Sequence, residues 1–295
     1  MSNLDAPTPK RDYSSISISA KYVLLLKGVT DIPYARETAE LISLPGKFEP
    51  DYALRDFALW ARILHFEARY KSINQLLAGL PAKNILELSS GFSLRGLAAT
   101  ALQEIHYIDT DLPDLIDAKR DIIAEIQKTN STSPCGNLEL LPLNALDEKQ
   151  FEAVTNRFGP GQVIIVNEGL LMYLGNNEKK LLCQNIRQIL KKRGGYWITA
   201  DVYIRARQEM PPSAANDKMA AFFEQMHIRE NMFESFEEAE AFFRSEGFVV
   251  DKEAINQGAD LSALKYLLAS ANDEQKKLLG AWPRIRATWR LKLAD

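Results

Sequence analysis

The chain has 295 residues, 46% of them hydrophobic, and a formal net charge of −3. That is apolar enough for a sizeable core, and its scattered Lys and Arg argue against phosphate-backbone binding, so no nucleic-acid partner is expected. Cys135 and Cys183 offer neither zinc spacing nor a disulfide framework, Met1 to Arg11 lacks an apolar signal core, and no window approaches the roughly 18 apolar residues of a membrane span; a soluble, cytoplasmic protein is expected.

Apolar positions at Ile16, Ile18, Tyr22, Val23, Leu25 and Leu26 predict a helix over Ser14 to Lys27, broken by Thr30-Asp31-Ile32-Pro33. A second helix is predicted from Ala35 to Ser43. Tyr52 to Leu77 reads as one long helix or two abutting ones, ended by Gly79 and Pro81. Residues 1–80 thus form a helical cap ahead of a core spanning 81–295. The core opens with a strand at Asn84 to Leu88, a turn at Ser89-Ser90-Gly91-Phe92-Ser93, a helix from Leu94 to Leu102, and a second strand from Glu104 into Asp109-Thr110-Asp111. A helix over Asp114 to Lys128, a polar loop from Asn130 to Asn137, a strand at Leu138 to Leu143 and a helix at Glu148 to Arg157 follow. Val163-Ile164-Ile165-Val166 is uninterruptedly apolar, which predicts a central strand over Gln162 to Asn167.

Glu178 to Lys192 reads as a helix capped by Gly194-Gly195, and Tyr196 to Val202 as the next strand. An inserted helical segment around residues 203–235 contains a helix from Ala214 to Arg229. Ser235 is an N-cap signal for a helix that Gly247 ends; Phe248-Val249-Val250 is strand-like, and short helices are expected at Leu261 to Ser270 and Asp273 to Leu279. Alternation from Arg284 to Leu293 predicts a last, edge strand. Sustained strand–helix alternation predicts an α/β fold with a mostly parallel sheet.

Asp111 lies about twenty residues beyond the glycine turn, where an α/β nucleotide-binding unit places the carboxylate that accepts from a ribose diol. Competing chemistries lack their signatures. No Gly-x-Ser-x-Gly elbow supports a hydrolase, and no Gly-x-Gly-x-x-Gly supports a dinucleotide oxidoreductase. His65, His106 and His227 have no metal spacing and no neighbouring nucleophile, so no metal is expected and ordinary histidines are the simpler reading.

Asn84-Ile85-Leu86-Glu87-Leu88-Ser89-Ser90-Gly91 resembles the first motif of class I S-adenosylmethionine-dependent methyltransferases. Tyr107-Ile108-Asp109-Thr110-Asp111-Leu112-Pro113, followed by a helix with Lys119, and Asn167-Glu168-Gly169-Leu170-Leu171-Met172-Tyr173 resemble one branch, the leucine carboxyl methyltransferase-like enzymes. The likeness runs from Ser17 to about Asp201. It implies a Rossmann-like class I methyltransferase fold with a seven-stranded sheet, S-adenosyl-L-methionine as cofactor, and a small-molecule or carboxylate methyl acceptor as partner.

Under this resemblance Lys21 and Arg69 reach the cofactor carboxylate, Ser89 and Gly91 line its turn, and Asp111 takes the ribose hydroxyls. Asn144 and Ala145 border the adenine, Glu168 ends the fourth strand beside the sulfonium, and Tyr173 and Tyr203 form walls for the methyl donor. A carboxylate acceptor is already ionised at neutral pH, so transfer to it calls for no general base. The family's first motif usually runs Leu-Gly-Ala-Gly-x-Asp-Thr-Arg, whereas this chain has Leu88-Ser89-Ser90-Gly91-Phe92-Ser93-Leu94-Arg95. That departure keeps a second reading open: a catalytically inactive binding protein on the same fold.

Overall fold

The computed structural model describes residues 16–42, 56–81, 83–129, 134–205, 228–255, 260–279 and 283–294. Ten α-helices occur among them: α1 (Ile16–Lys27), α2 (Ala35–Ile42), α3 (Phe57–Leu77), α4 (Arg95–Leu102), α5 (Pro113–Thr129), α6 (Glu148–Thr155), α7 (Asn176–Arg193), α8 (Phe236–Ser245), α9 (Leu264–Ser270) and α10 (Asp273–Leu279). The strands are β1 (Asn84–Leu88), β2 (His106–Asp111), β3 (Asn137–Pro142), β4 (Val163–Asn167), β5 (Gly195–Tyr203), β6 (Phe248–Glu253) and β7 (Arg286–Leu293). The helix expected at Ala214 to Arg229 falls almost wholly outside the described residues, as does His227.

Six strands that run in one direction, with β7 running against them, form a single sheet in the order β3-β2-β1-β4-β5-β7-β6. This is the mostly parallel seven-stranded sheet of the class I methyltransferase fold. β4 lies at its centre, and all five of its residues are buried because helices cover both faces of a parallel sheet. The expected edge position of Arg284 to Leu293 is corrected: β7 pairs with β5 on one side and β6 on the other, and the edge is β6. Alternating Ala287, Trp289 and Leu291 shows only that one face of the strand is buried; period two says nothing about neighbours in the sheet.

The order in which strands are added reverses between the parallel β1 and β4, which opens the crevice beyond their carboxyl ends where such sheets bind ligands. α3 spans this region. Asp56 caps it by accepting from the Leu59 N–H at 2.7 Å. Its first half packs with Tyr22 and Leu26 of α1 and Leu267 of α9, while Ile73 and Leu76 sit on Ile85, Ile164 and Ile198 of the sheet. Each such side chain contributes about 1.5–3 kcal/mol of burial, so α3 is the rod that holds the N-terminal helices against the strand ends. Glu67, fully buried on α3, accepts from the Ser262 and Ala263 N–H groups at 2.6 and 2.9 Å and so fixes the start of α9. Gly195 has a φ of +111°, and a Cβ there would lie 2.0 Å from the Val163 carbonyl oxygen, so the turn from α7 into β5 requires glycine.

Candidate active site

β1 feeds the turn that closes one side of the crevice. Ser89 and Gly91 both adopt positive φ, +49° and +56°, and the Ser90 N–H donates to the Thr110 carbonyl at 3.0 Å, tying the turn to β2. At the end of β2 the Asp111 carboxylate accepts from the Gly91 N–H at 2.8 Å and the Leu112 N–H at 2.7 Å. Burial raises its pKa and these two donors work against the rise. Directly beneath, Asp109 is fully buried and paired with Lys119 at 2.6 Å, while Lys119 also donates to the Ser90 hydroxyl at 2.9 Å. Burial lifts Asp109 to about 6 against the pull of Lys119. Asp109 therefore supports the turn, and Asp111 stands at its rim.

Glu168 follows β4, and three helices converge on it. Its Oε1 accepts from Lys27 of α1 and from the Arg69 Nε of α3 at 3.1 Å; its Oε2 accepts from the Arg95 Nη2 of α4 at 2.8 Å. Burial opposes ionisation, but Lys27, Arg69 and Arg95 together outweigh it and hold Glu168 far below the ordinary carboxylate range. Arg95 has further support: Glu87 at 3.3 Å, the Tyr70 carbonyl at 3.1 Å, Asn74, and the Tyr70 ring with its centroid 3.9 Å away. Glu87 in turn accepts from the Tyr107 hydroxyl at 2.6 Å.

The loop carrying Glu168 is itself fixed from behind. Asp201 on β5 accepts from the Gly169, Leu170 and Leu171 N–H groups at 2.6, 2.7 and 3.2 Å and from the Asn167 amide at 2.6 Å. Gly169 has a φ of +86°, and a Cβ on it would come within 3.4 Å of Arg69.

Of the residues expected from sequence, Arg69, Glu168 and Tyr203 form one cluster, with the Tyr203 hydroxyl 3.5 Å from the Arg69 Nη1. His65 belongs to it as well, which its apparent isolation in sequence conceals: its Nε2 lies 2.8 Å from the Tyr203 hydroxyl. Burial first, then Arg286 and Arg69, keep this imidazole neutral well below its usual pKa. Gly91 and Asp111 form a second cluster, roofed by α1, since a Cβ on Gly91 would touch Ala20 at 3.4 Å. The Tyr173 hydroxyl bonds Ser19 of α1 at 2.8 Å. Lys21 is half-buried, and Asn144 is exposed beside buried Ala145 just past β3. No hydrogen bond or ion pair joins Lys21, Ser89, Asn144 or Ala145 to either cluster among the described residues.

Sequence reasoning missed Lys27, Glu87 and Asp201, and named Arg95 without giving it a role. Lys27 closes a helix, where a lysine reads as a dipole partner. Arg95, at the family's arginine position, was the available signal.

The residues suit an adenosyl amino acid. Asp111 is an acceptor at the end of β2, Gly91 leaves free the space a side chain would fill, and the Glu168 cluster offers both cations and a carboxylate for an amino acid's two charges.

Residues 47–187 match the leucine carboxyl methyltransferase family, a stretch that contains the glycine turn, Asp111 and Glu168. That family uses S-adenosylmethionine. A DUF574-family protein of Streptomyces avermitilis superposes with a TM-score of 0.51 at 14% identity, covering 94% of this chain and 97% of that one, and supports the fold assignment. The mitomycin 7-O-methyltransferase MmcR gives a TM-score of 0.47 at 11% identity over 83% of this chain and 58% of its own, so this chain spans little more than half its length. Magnesium protoporphyrin IX methyltransferase of Synechocystis, with bound SAH, gives 0.45 at 9% identity over 89% and 96%. Curated protein sequences gave no match. No helix among the described residues is long and apolar enough to cross a membrane.

Proposed function

We propose that the chain is an S-adenosylmethionine-dependent O-methyltransferase acting on a small molecule or a carboxylate. The observation that carries this reading is the pairing, across the sheet's switch point, of Asp111 at the end of β2 with the cation-ringed Glu168 beyond β4. In the proposal Asp111 accepts from the ribose hydroxyls, Ser89 and Gly91 line the cofactor's path, and Asn144 and Ala145 border the adenine. Arg69 and Lys21 take the carboxylate and Glu168 the ammonium. When bound, S-adenosylmethionine supplies an electrophilic methyl group.

The chain's own residues supply alignment and dryness. Tyr173 and Tyr203, 6% exposed each, are the proposed walls of the methyl-transfer pocket, and the neutral His65 fixes the Tyr203 hydroxyl. Arg69 is held from two sides, by Glu168 and by Tyr203, so it links the cofactor end of the site to that wall.

Calorimetric titration with S-adenosylhomocysteine, followed by transfer of a labelled methyl group to a panel of hydroxyl and carboxylate acceptors, tests the proposal. Saturable binding and labelled product are expected; no heat and no thermal shift at millimolar ligand would overturn it. One observation favours the inactive-binder reading: Ser89, not glycine, occupies a positive-φ position in the turn. Tight binding with no transfer to any acceptor would select that reading.

A further inference from the structure

Three cations meet at Glu168, and they are not equally committed. Arg95 also has Glu87, Asn74 and the Tyr70 carbonyl; Arg69 also has Tyr203 and lies over the Phe66 ring, 4.9 Å to its centroid. The Lys27 Nζ has Glu168 as its one hydrogen-bond partner among the described residues, with the Tyr70 ring centroid 5.3 Å away. An arginine cannot shed its proton, whereas a buried lysine can. Glu168 already has a cation on each oxygen and a third beside them, and in the reading above the ligand's carboxylate goes to Arg69 and Lys21, so its ammonium reaches Glu168 by displacing one of the three, and the amine of Lys27 is the least committed.

Resting on the cofactor reading above, we propose that ligand binding releases a proton from Lys27: the ligand's ammonium takes the place of the Lys27 Nζ on Glu168, and the amine, left between two guanidinium groups, gives its proton to solvent. The proton count closes, with one N–H bond lost at Nζ and one proton gained by buffer. The charged groups facing Lys27 are Glu168 beyond β4, Arg69 of α3 and Arg95 of α4, with Tyr70 of α3 beside them; on α2, Arg36 and Glu40 pair with each other on the exposed surface. The starting poise suits this exchange. Burial has already brought Lys27 down to about 8, with Arg69 and Arg95 adding to the fall and Glu168 resisting it. Lys27 is thereby a positioning residue whose proton is exchanged for the ligand's charge.

The test is calorimetry of S-adenosylhomocysteine binding to the full chain in two buffers of different ionisation enthalpy, repeated across pH. The expected result is a buffer-dependent heat showing proton release. Affinity should tighten by up to about tenfold per pH unit below about 8 and level off above it. Lys27→Arg keeps the charge but has no proton to release, so it should bind with buffer-independent heat and a flat pH profile; Lys27→Met should behave likewise. Equal heats in both buffers for the unmodified protein, or a buffer dependence that persists in both variants, would overturn the inference while leaving cofactor binding intact. Absence of any binding would overturn the proposed function and this inference together.

Discussion

Two buried carboxylates stand at neighbouring strand ends and are neutralised by opposite means. Glu168 beyond β4 is matched by three cationic side chains from three helices, whereas Asp201 on β5 is matched by three backbone N–H groups of a single loop and the Asn167 amide. Asp201 is part of the framework, since its three loop partners are main chain and cannot leave without unfolding the loop. Glu168 is a junction: its partners are side chains from three separate helices, and in the inference above one of them is exchanged. A site that binds a charged ligand needs both kinds, the first to hold the second in place.

The contrast is broken most directly by removing each charge. Glu168→Gln leaves three buried cations sharing one fewer anion and should cost about 3–5 kcal/mol in urea unfolding. Asp201→Asn keeps the shape and one acceptor and should cost about 1–3 kcal/mol; the reverse ranking would refute the division of labour. Acid sharpens the same point. The folded pKa of Glu168 is depressed, so its contribution is complete above the unfolded value of about 4.3 and is lost as pH falls below it. The urea midpoint of the unmodified protein should drop between about pH 5 and 3, and the Glu168→Gln variant should show a shallower drop.

Affinity comes next in size. Arg69→Ala should weaken S-adenosylhomocysteine binding by roughly 1.5–3 kcal/mol, the usual value of a charged hydrogen bond. Lys119→Met should act mainly on stability, because Lys119 is fully buried against Asp109 beneath the turn and does not face the crevice directly. Equal calorimetric affinities for Arg69→Ala and the unmodified protein would remove Arg69 from the site. Smallest is Tyr203→Phe. Loss of the His65 bond and of the long Arg69 contact should cost about 1 kcal/mol of stability, weaken S-adenosylhomocysteine binding by less than Arg69→Ala does, and lower turnover once an acceptor is in hand.

What could be read from sequence divides along the same line. Strand and helix positions follow from local periodicity, so β1 was placed from Asn84 to Leu88 and α8 was started at its Ser235 cap, as found. Arg69, Glu168 and Tyr203 were named through a resemblance, and they do come together. Partnerships that depend on how helices dock were illegible: Lys27 sits 141 residues from Glu168 in the chain, and nothing local distinguishes it from a solvated helix-end lysine. Asp201 was hidden differently, because a single acid at a strand end has no pattern, and its partners are backbone groups that every sequence possesses. Sheet order was illegible for a third reason: β7 lies between β5 and β6 through long-range pairing that alternation does not encode.

The first helix is short enough, at 12 residues, to be marginal on its own in water. Beyond its packing on α3, it is tied by Ser19 on Tyr173, Ala20 over Gly91 and Lys27 on Glu168, three contacts spread along its length and all made with the crevice rather than with solvent. Its amide protons should therefore exchange with deuterium at a rate set partly by the crevice: those contacts add to the packing of Tyr22, Leu24 and Leu26 in the opening free energy of α1, and a ligand that changes any of them changes it. Hydrogen exchange confined to residues 16–27 would then serve as an occupancy gauge for the site, readable without knowing the methyl acceptor.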